Sequence, residues 1–328
     1  MRAGIDTSPL ALTRAGTARY INGLLPELER LPEVDVRRLA FGGPGRVNAV
    51  VRDTAWYLAS LPRTASRLGL DVLHCTSFRG PLRSRVPVVL TVHDLAVLRH
   101  PEAFNRWTRH YSRHLVPRVA RAARRIIAGS EFTKRELVEL LGIPEARIRA
   151  VPYAADEAFV AAGPSAEGEY VLAVGTLEPR KNLSRLIEAV GRSGLELWVA
   201  GARGWGDVPV AGNGVRWLGE VPDAELARLM RGARCLAYPS LYEGFGIPVL
   251  EGMACGTPVV TSAGGATEEV AGDAAVLVDP LDPASIAAGI EQADARRSEL
   301  RALGLERAHR FSWRTTAAAT LEVYRDAQ

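Results

Sequence analysis

A chain of 328 residues is too long for one hydrophobic core, so two domains are the starting expectation. With 47% apolar and 24% charged residues it has the composition of a soluble globular protein, and no run is apolar enough to span a bilayer. The net charge of +4 is unevenly spread: residues 1–165 carry 25 Lys and Arg against 15 Asp and Glu (+10), and residues 166–328 carry 16 against 22 (−6).

That asymmetry follows either from an arginine-rich proteome or from a first half that meets something anionic. No recognised nucleic-acid-binding motif accompanies it, which sets nucleic acid aside. The opening stretch MRAGIDTSPLAL lacks the long apolar run of a signal peptide. Cys75, Cys235 and Cys255 are scattered and odd in number, with neither metal-ligand spacing nor a disulfide framework. A reducing cytoplasm is the expected setting.

In chain order, the first half alternates β-rich runs (MRAGID, VDVRRLAF, DVLHCTS, VPVVLTVHD, RRIIAGS) with helical segments such as GTARYINGLLPELERL and EFTKRELVELLG. Residues 153–169 are rich in small residues, lack a sustained pattern and read as a linker. The second half repeats the plan with YVLAVG, LELWVAG, VRWLG, RCLAYPS, TPVVTS and AAVLVD. Between these lie the helical segments NLSRLIEAVGRS, DAELARLMRGA and PASIAAGIEQADARRSEL. Strands alternating with helices imply parallel α/β sheets. The expectation is two Rossmann-like doubly wound domains facing across a cleft, residues 1–165 and 166–310, with 311–328 following.

Ligands of such sheets bind outside the carboxyl ends of the strands. After the strand YVLAVG, the turn TLEP leads to Arg180 and Lys181 near a helix N-terminus, where free amides already favour an anion. Two adjacent cations there suit a diphosphate; a solvated basic turn is the plainer alternative. After RCLAYPS, the stretch YEGFGIPVLEGMACGTPVV sets Glu243 and Glu251 eight residues apart in an otherwise apolar, glycine-rich segment. Pro248 suits a first helical turn, and Gly244 and Gly246 allow a ligand close to the backbone. An ionised carboxylate accepts two or more hydrogen bonds, which matches the vicinal diols of a hexose and a ribose. The competing reading is a capping carboxylate followed by a solvated helix residue.

The segments AVGTLEPRKNLSRLIEAV, LGEVPDAELARLMRGARCLAYPSLYEGFGIPVLEGMACGTPVVTS and GATEEVAGDAAVLVDPLDP resemble the retaining GT-B glycosyltransferases of family GT4, in particular the O-antigen-type mannosyltransferase branch. The resemblance runs almost continuously from Tyr170 to Pro283. It is patchier in the first half, through AGTARYINGLL, LHCTS, VLTVHDLAVLRHPE, AGSEFTKREL and IRAVPYAADEAF.

The resemblance implies roles. Glu243 would contact the donor hexose, with Gly244, Phe245, Gly246 and Ile247 forming the loop and helix start whose backbone groups serve the donor. Glu251 would bind the ribose hydroxyls. Lys181, with Arg180, would neutralise the donor diphosphate; Gly16 would approach the phosphates, and His93 would sit beside the transferred sugar. Read without the resemblance, His93 is more simply a satisfied strand-end histidine. The last helix would cross back to the N-terminal domain. Three departures stand out. Gly175-Thr176 replaces the Gly-Arg of many relatives, RAGTARY replaces the fuller Gly-x-Gly-Arg-Tyr loop, and EEV replaces PEV with Glu269 in the acidic position.

The implied chemistry is metal-independent, cofactor-free transfer with retention, the leaving diphosphate being stabilised by fixed cations and helix amides. GDP-mannose is the expected donor, with UDP- and dTDP-sugars as alternatives. A nucleotide-sugar epimerase and a catalytically inactive nucleotide-sugar-binding subunit are the other classes that fit. A dinucleotide oxidoreductase does not, because TSPLALTRAGTARY follows the first strand and GARGWG has the wrong spacing. The expected acceptor is a glycan or a lipid-diphosphate-linked glycan. The basic segment 105–125, with Trp107, Tyr111 and Leu115 at helical spacing, suggests peripheral contact with an anionic membrane at its cytoplasmic face as readily as a helix packed on the sheet.

Overall fold

The short apolar runs build two parallel sheets, each with six strands among the described residues. The computed structural model describes residues 1–11, 16–43, 45–101, 104, 106–204, 206 and 214–328. The chain divides into two units, Met1–Tyr153 with Trp313–Gln328, and Ala154–Ser312.

The first unit runs β1 (Arg2–Asp6), α1 (Gly16–Arg30), β2 (Asp35–Leu39), α2 (Arg46–Val51), a π-helix (Arg52–Ser60), α3 (Leu61–Arg67) and β3 (Val72–Cys75). It continues with β4 (Val88–Val92), α4 (Ala96–Arg99), α5 (Arg106–Ala122), β5 (Arg125–Ala128), α6 (Glu131–Leu141) and β6 (Ile148–Ala150). Its strand order is β2-β1-β3-β4-β5-β6, all parallel. β3 and β4 are buried throughout, as strands covered on both faces must be. α1 turns Ile21, Leu24, Leu25 and Leu28 inward at helical spacing. α6 is bounded by its caps: Ser130 accepts from Thr133 N, and Gly142 closes the helix in the left-handed region at φ 62°.

The second unit runs β7 (Tyr170–Val174), a 3-10 turn (Pro179–Lys181), α7 (Leu183–Val190), β8 (Glu196–Ala200), β9 (Val215–Gly219), α8 (Asp223–Gly232) and β10 (Cys235–Tyr238). Then follow α9 (Ile247–Ala254), β11 (Val259–Ser262), α10 (Ala266–Ala271), β12 (Val276–Val278), α11 (Pro283–Ala295) and α12 (Arg297–His309). Its order is β12-β11-β10-β7-β8-β9, also all parallel. The run PASIAAGIEQADARRSEL, which reads as one helix, is broken at Arg296 (φ −98°, ψ 20°) into α11 and α12. Residues 154–165, grouped with the first half on sequence, belong to the second unit. Arg231 Nε donates to Pro164 O and Nη1 to Val160 O, fastening that segment to α8.

The closing helix α13 (Trp313–Ala327) belongs to the first unit. It buries Ala317, Leu321, Val323 and Tyr324, and Thr316 Oγ1 donates to Pro152 O at 2.7 Å. Gly23 of α1 makes room for Trp313: a Cβ at position 23 would lie 2.1 Å from Trp313 Cε2. Inside the sheet, His74 shares hydrogen bonds with Tyr324 Oη and Thr91 Oγ1, each at 2.7 Å.

In the basic helix α5, Asn105 and the side chains of Arg106, Trp107 and Tyr111 lie outside the described residues. Arg109, Arg113 and Arg118 are exposed, while Val116, Val119 and Ala120 pack into the core. Among the described residues no helix is long and apolar enough to cross a membrane.

Candidate active site

In the second sheet the strand order reverses between β7 and β10. The crevice at such a point is where open α/β sheets take their ligands. Two loops meet there, residues 175–182 after β7 and 239–246 after β10, and they are joined by backbone: Leu241 N donates to Arg180 O at 2.8 Å.

Asn182 fixes the first loop. Its φ of 62° is left-handed, a conformation that asparagine tolerates better than most residues. Its Nδ2 donates to Pro239 O (3.0 Å) and Pro280 O (2.6 Å), tying the Arg180–Lys181 turn to the end of β10. Gly246 caps α9 at φ 102°, where a Cβ would come within 2.9 Å of Thr267 Cγ2; both its conformation and its surroundings require glycine.

The side chains then converge. Lys181 Nζ donates to Glu243 Oε1 and to Tyr238 Oη, each at 2.6 Å, and Tyr238 Oη donates to Glu243 Oε1 at 2.9 Å. Arg180 Nη1 donates to Glu243 Oε2 (2.8 Å) and Tyr242 O (3.0 Å), while its Nε lies 2.6 Å from Glu178 Oε1. Burial works to raise the Glu243 pKa, but Arg180 and Lys181 together outweigh it and hold the carboxyl down at about 2. Burial pulls the Lys181 ammonium below its ordinary value, against the charge of Glu243 that supports it. Two carboxylates thus face two cations, and the four charges cancel.

Neither part of the capping alternative describes this geometry. α9 starts at Gly246 with no side-chain cap, and Glu243 turns instead to the two cations. Glu251, in the second turn of α9, is fully buried rather than solvated. Phe245 and Ile247 are buried as well, Phe245 meeting Phe311 edge to face at 6.2 Å between centroids. A cavity of about 20 Å³, lined in part by Gly175, Glu178, Lys181 and Tyr238, lies beside the cluster and has room for one water molecule.

The remaining two residues are in the first unit. His93 follows β4, half-buried, with Nδ1 2.9 Å from Tyr153 Oη and Nε2 3.0 Å from Thr76 O. The carbonyl can only accept, so Nε2 carries the proton and the tyrosine donates to Nδ1. Burial lowers the His93 pKa, which keeps the ring neutral. Gly16 opens α1 and is exposed; a Cβ there would meet nothing within 4 Å, so neither packing nor backbone demands glycine at that position. Arg14 and Ala15, which precede it in RAGTARY, lie outside the described residues.

Sequence reasoning missed Tyr238, Glu178 and Asn182. Glu178 and Asn182 stand in the same EPRKN stretch as the two cations, and Tyr238 is the last residue of the strand whose carboxyl end faces the EGFG loop. Among the described residues, no group of three or more His, Cys, Asp or Glu could hold a metal ion.

Two family models match the chain, "Glycosyltransferase Family 4" over residues 14–159 and "Glycosyl transferases group 1" over residues 155–312. The protein is 33% identical to O-antigen chain mannosyltransferase B of Escherichia coli over 77% of this chain and 74% of that one. It is 30% identical to a D-inositol 3-phosphate glycosyltransferase of Acidothermus cellulolyticus over 92% of this chain and 74% of that one. In fold it matches sucrose-phosphate synthase of Thermosynechococcus elongatus with a TM-score of 0.80 at 19% identity, over 99% of this chain and 98% of that one. The chain belongs to the group 1, family 4 glycosyltransferases of the GT-B fold.

Proposed function

We propose that this glycosyltransferase moves mannose from GDP-mannose, with retention and without a metal, to an anionic glycan-type acceptor. The supporting observation is the Arg180–Lys181–Glu243 cluster at the reversal point of the second sheet, in a chain 33% identical to an O-antigen mannosyltransferase. On this reading Lys181, with Arg180 beside it, takes the charge that develops on the leaving diphosphate. Fixed cations do this without reorganisation at the moment of bond breaking. Glu243 turns to the hexose hydroxyls and Glu251 to the ribose, while Gly244 to Ile247 offer backbone groups at the start of α9. From the first unit Gly16 serves the phosphates. Neutral His93 hydrogen-bonds the sugar, and no side chain is assigned as nucleophile.

The acceptor is a glycan carried on a lipid diphosphate; the +10 charge of residues 1–165 and the exposed Arg109, Arg113 and Arg118 of α5, which would face anionic lipid, support this reading. The similarity to an inositol 3-phosphate glycosyltransferase favours a second reading in which the acceptor is a phosphorylated polyol. Calorimetry with GDP, UDP, dTDP and ADP, followed by transfer assays with the matching sugar nucleotides, tests the donor. Preferential UDP or dTDP binding removes GDP-mannose and leaves the glycosyltransferase assignment intact.

A further inference from the structure

The functional reading leaves Tyr238 without a role, although its hydroxyl touches both Lys181 and Glu243. We propose that Tyr238 is a positioning residue of the donor site, whose hydroxyl fixes the Lys181 ammonium and the Glu243 carboxylate against β10 so that the donor diphosphate meets a preset cation. The proposal rests on the reading of this cluster as the donor site.

The directions of the three bonds are unambiguous. Lysine has only N–H donors and an ionised carboxylate only acceptors, so the phenol must accept from Lys181 and donate to Glu243. A hydroxyl does both at once, and no other protein side chain of this size offers that with so few rotatable bonds. Burial and the charge of Glu243 hold the phenol well above its ordinary pKa, so it keeps the proton it donates.

The three partners differ in rigidity. Tyr238 is 3% exposed and is the last residue of β10, paired with Thr261 of β11; its carbonyl accepts from Thr261 Oγ1 at 3.0 Å. Lys181 carries its charge on a flexible four-carbon stem, and Glu243 stands in a loop. The strand-borne hydroxyl is therefore the fixed vertex of the triangle. Nζ lies 4.7 Å from the ring centroid, at the hydroxyl end of the tyrosine, so the contact runs through Oη. Two of the three Lys181 N–H groups are committed to Tyr238 and Glu243, and the third has no partner among the described residues. That third donor is the one left for a phosphate oxygen, and its direction is set by the other two.

The test uses the full chain with GDP and UDP as probes, in a double-mutant cycle between Tyr238→Phe and Lys181→Met. Tyr238→Phe keeps the ring and removes the hydroxyl. Its expected effect is a loss of nucleotide affinity of about tenfold, the scale of one hydrogen bond to a charged group, with a larger loss in kcat of sugar transfer than in KM. In the Lys181→Met background the same change is expected to cost less than about twofold, because the group it positions is gone. Should the phenylalanine variant not fold, difluorotyrosine incorporated at position 238 weakens the hydroxyl as an acceptor while keeping its shape, and must show the same dependence on Lys181. An equal loss in both backgrounds, or none in either, overturns the proposal. Wild-type protein that binds none of GDP, UDP, dTDP and ADP overturns the donor-site reading beneath it, an outcome distinguishable from the first.

Discussion

Glu243 and Lys181 are paired at 2.6 Å, so the carboxylate assigned to the sugar rests on the cation assigned to the phosphate. With Glu178 on the other side of Arg180, the four charges cancel, and a diphosphate that reaches Lys181 meets the Glu243 carboxylate held beside it. Glu243→Gln removes that internal competitor. We expect it to tighten binding of nucleoside diphosphate about fivefold, on the order of 1 kcal/mol for one unit charge at short range in a partly solvated site. Sugar transfer by the same variant should fall by at least about a hundredfold. Calorimetry beside a transfer assay separates the two effects, and equal weakening of both would remove Glu243 from the role of competing anion.

Glu251 carries a different expectation because it is fully buried in α9. Glu251→Gln keeps the shape and loses charge-assisted hydrogen bonds. Nucleotide binding should weaken by about 1.5–3 kcal/mol if two ribose hydroxyls are held. A 2′,3′-dideoxy nucleotide should bind wild type and variant alike. Unchanged affinity of the variant for the ordinary nucleotide would undo the ribose assignment.

The first unit should be acid-sensitive through buried His74 and half-buried His93. Burial holds His74 down at about 3, and His93 is lowered in the same direction by burial. A histidine whose folded pKa is depressed stays neutral while the unfolded chain takes up a proton. Its contribution is therefore complete above about pH 6.5 and is lost as pH falls toward the folded value. The slope is about 1.4 kcal/mol per pH unit for each such group once below the unfolded pKa. Urea midpoints should drop between pH 7 and pH 5, and His74→Gln should flatten that drop at the cost of stability at pH 7.

Gly23 tests packing against propensity. Alanine is the better helix former by about 1 kcal/mol, yet its Cβ would collide with the Trp313 indole. Gly23→Ala should therefore destabilise the first unit, by about 1–3 kcal/mol. In a Trp313→Ala background the sign should reverse, since only propensity remains. Thermal unfolding of the four proteins decides it, and additive effects would mean that the two residues do not press on each other.

The central strands are plain in the sequence because parallel strands buried on both faces are nearly continuous apolar runs, as in VVLTV and CLAY. β6 was not read as a strand: three residues, one exposed, leave too little pattern. The π-helix at Arg52–Ser60 was also missed, since its apolar residues follow neither the helical nor the strand period. Arg180, Lys181 and Glu243 were placed together by motif, but their mutual neutralisation was not, because charge pairing across 62 residues depends on the strand order and not on local spacing. Asn182 escaped for the opposite reason: it reads as the first residue of a helix, and only its left-handed backbone shows it as the clasp between two loops.

The division of the chain has a consequence for biosynthesis. Tyr153 and Trp313, which bound the segment Ala154–Ser312, stack at 6.3 Å between centroids with their planes 17° apart. The first unit is thus written in two pieces, and its closing helix leaves the ribosome only after the whole second unit has been made. Until then Gly23, His74 and Tyr153 lack their partners Trp313 and Tyr324, whereas the second unit is continuous and can fold as it emerges. The unit begun first is completed last, and a nascent chain halted at Ser312 should resist protease over residues 154–312 while its opening 153 residues remain open to cleavage.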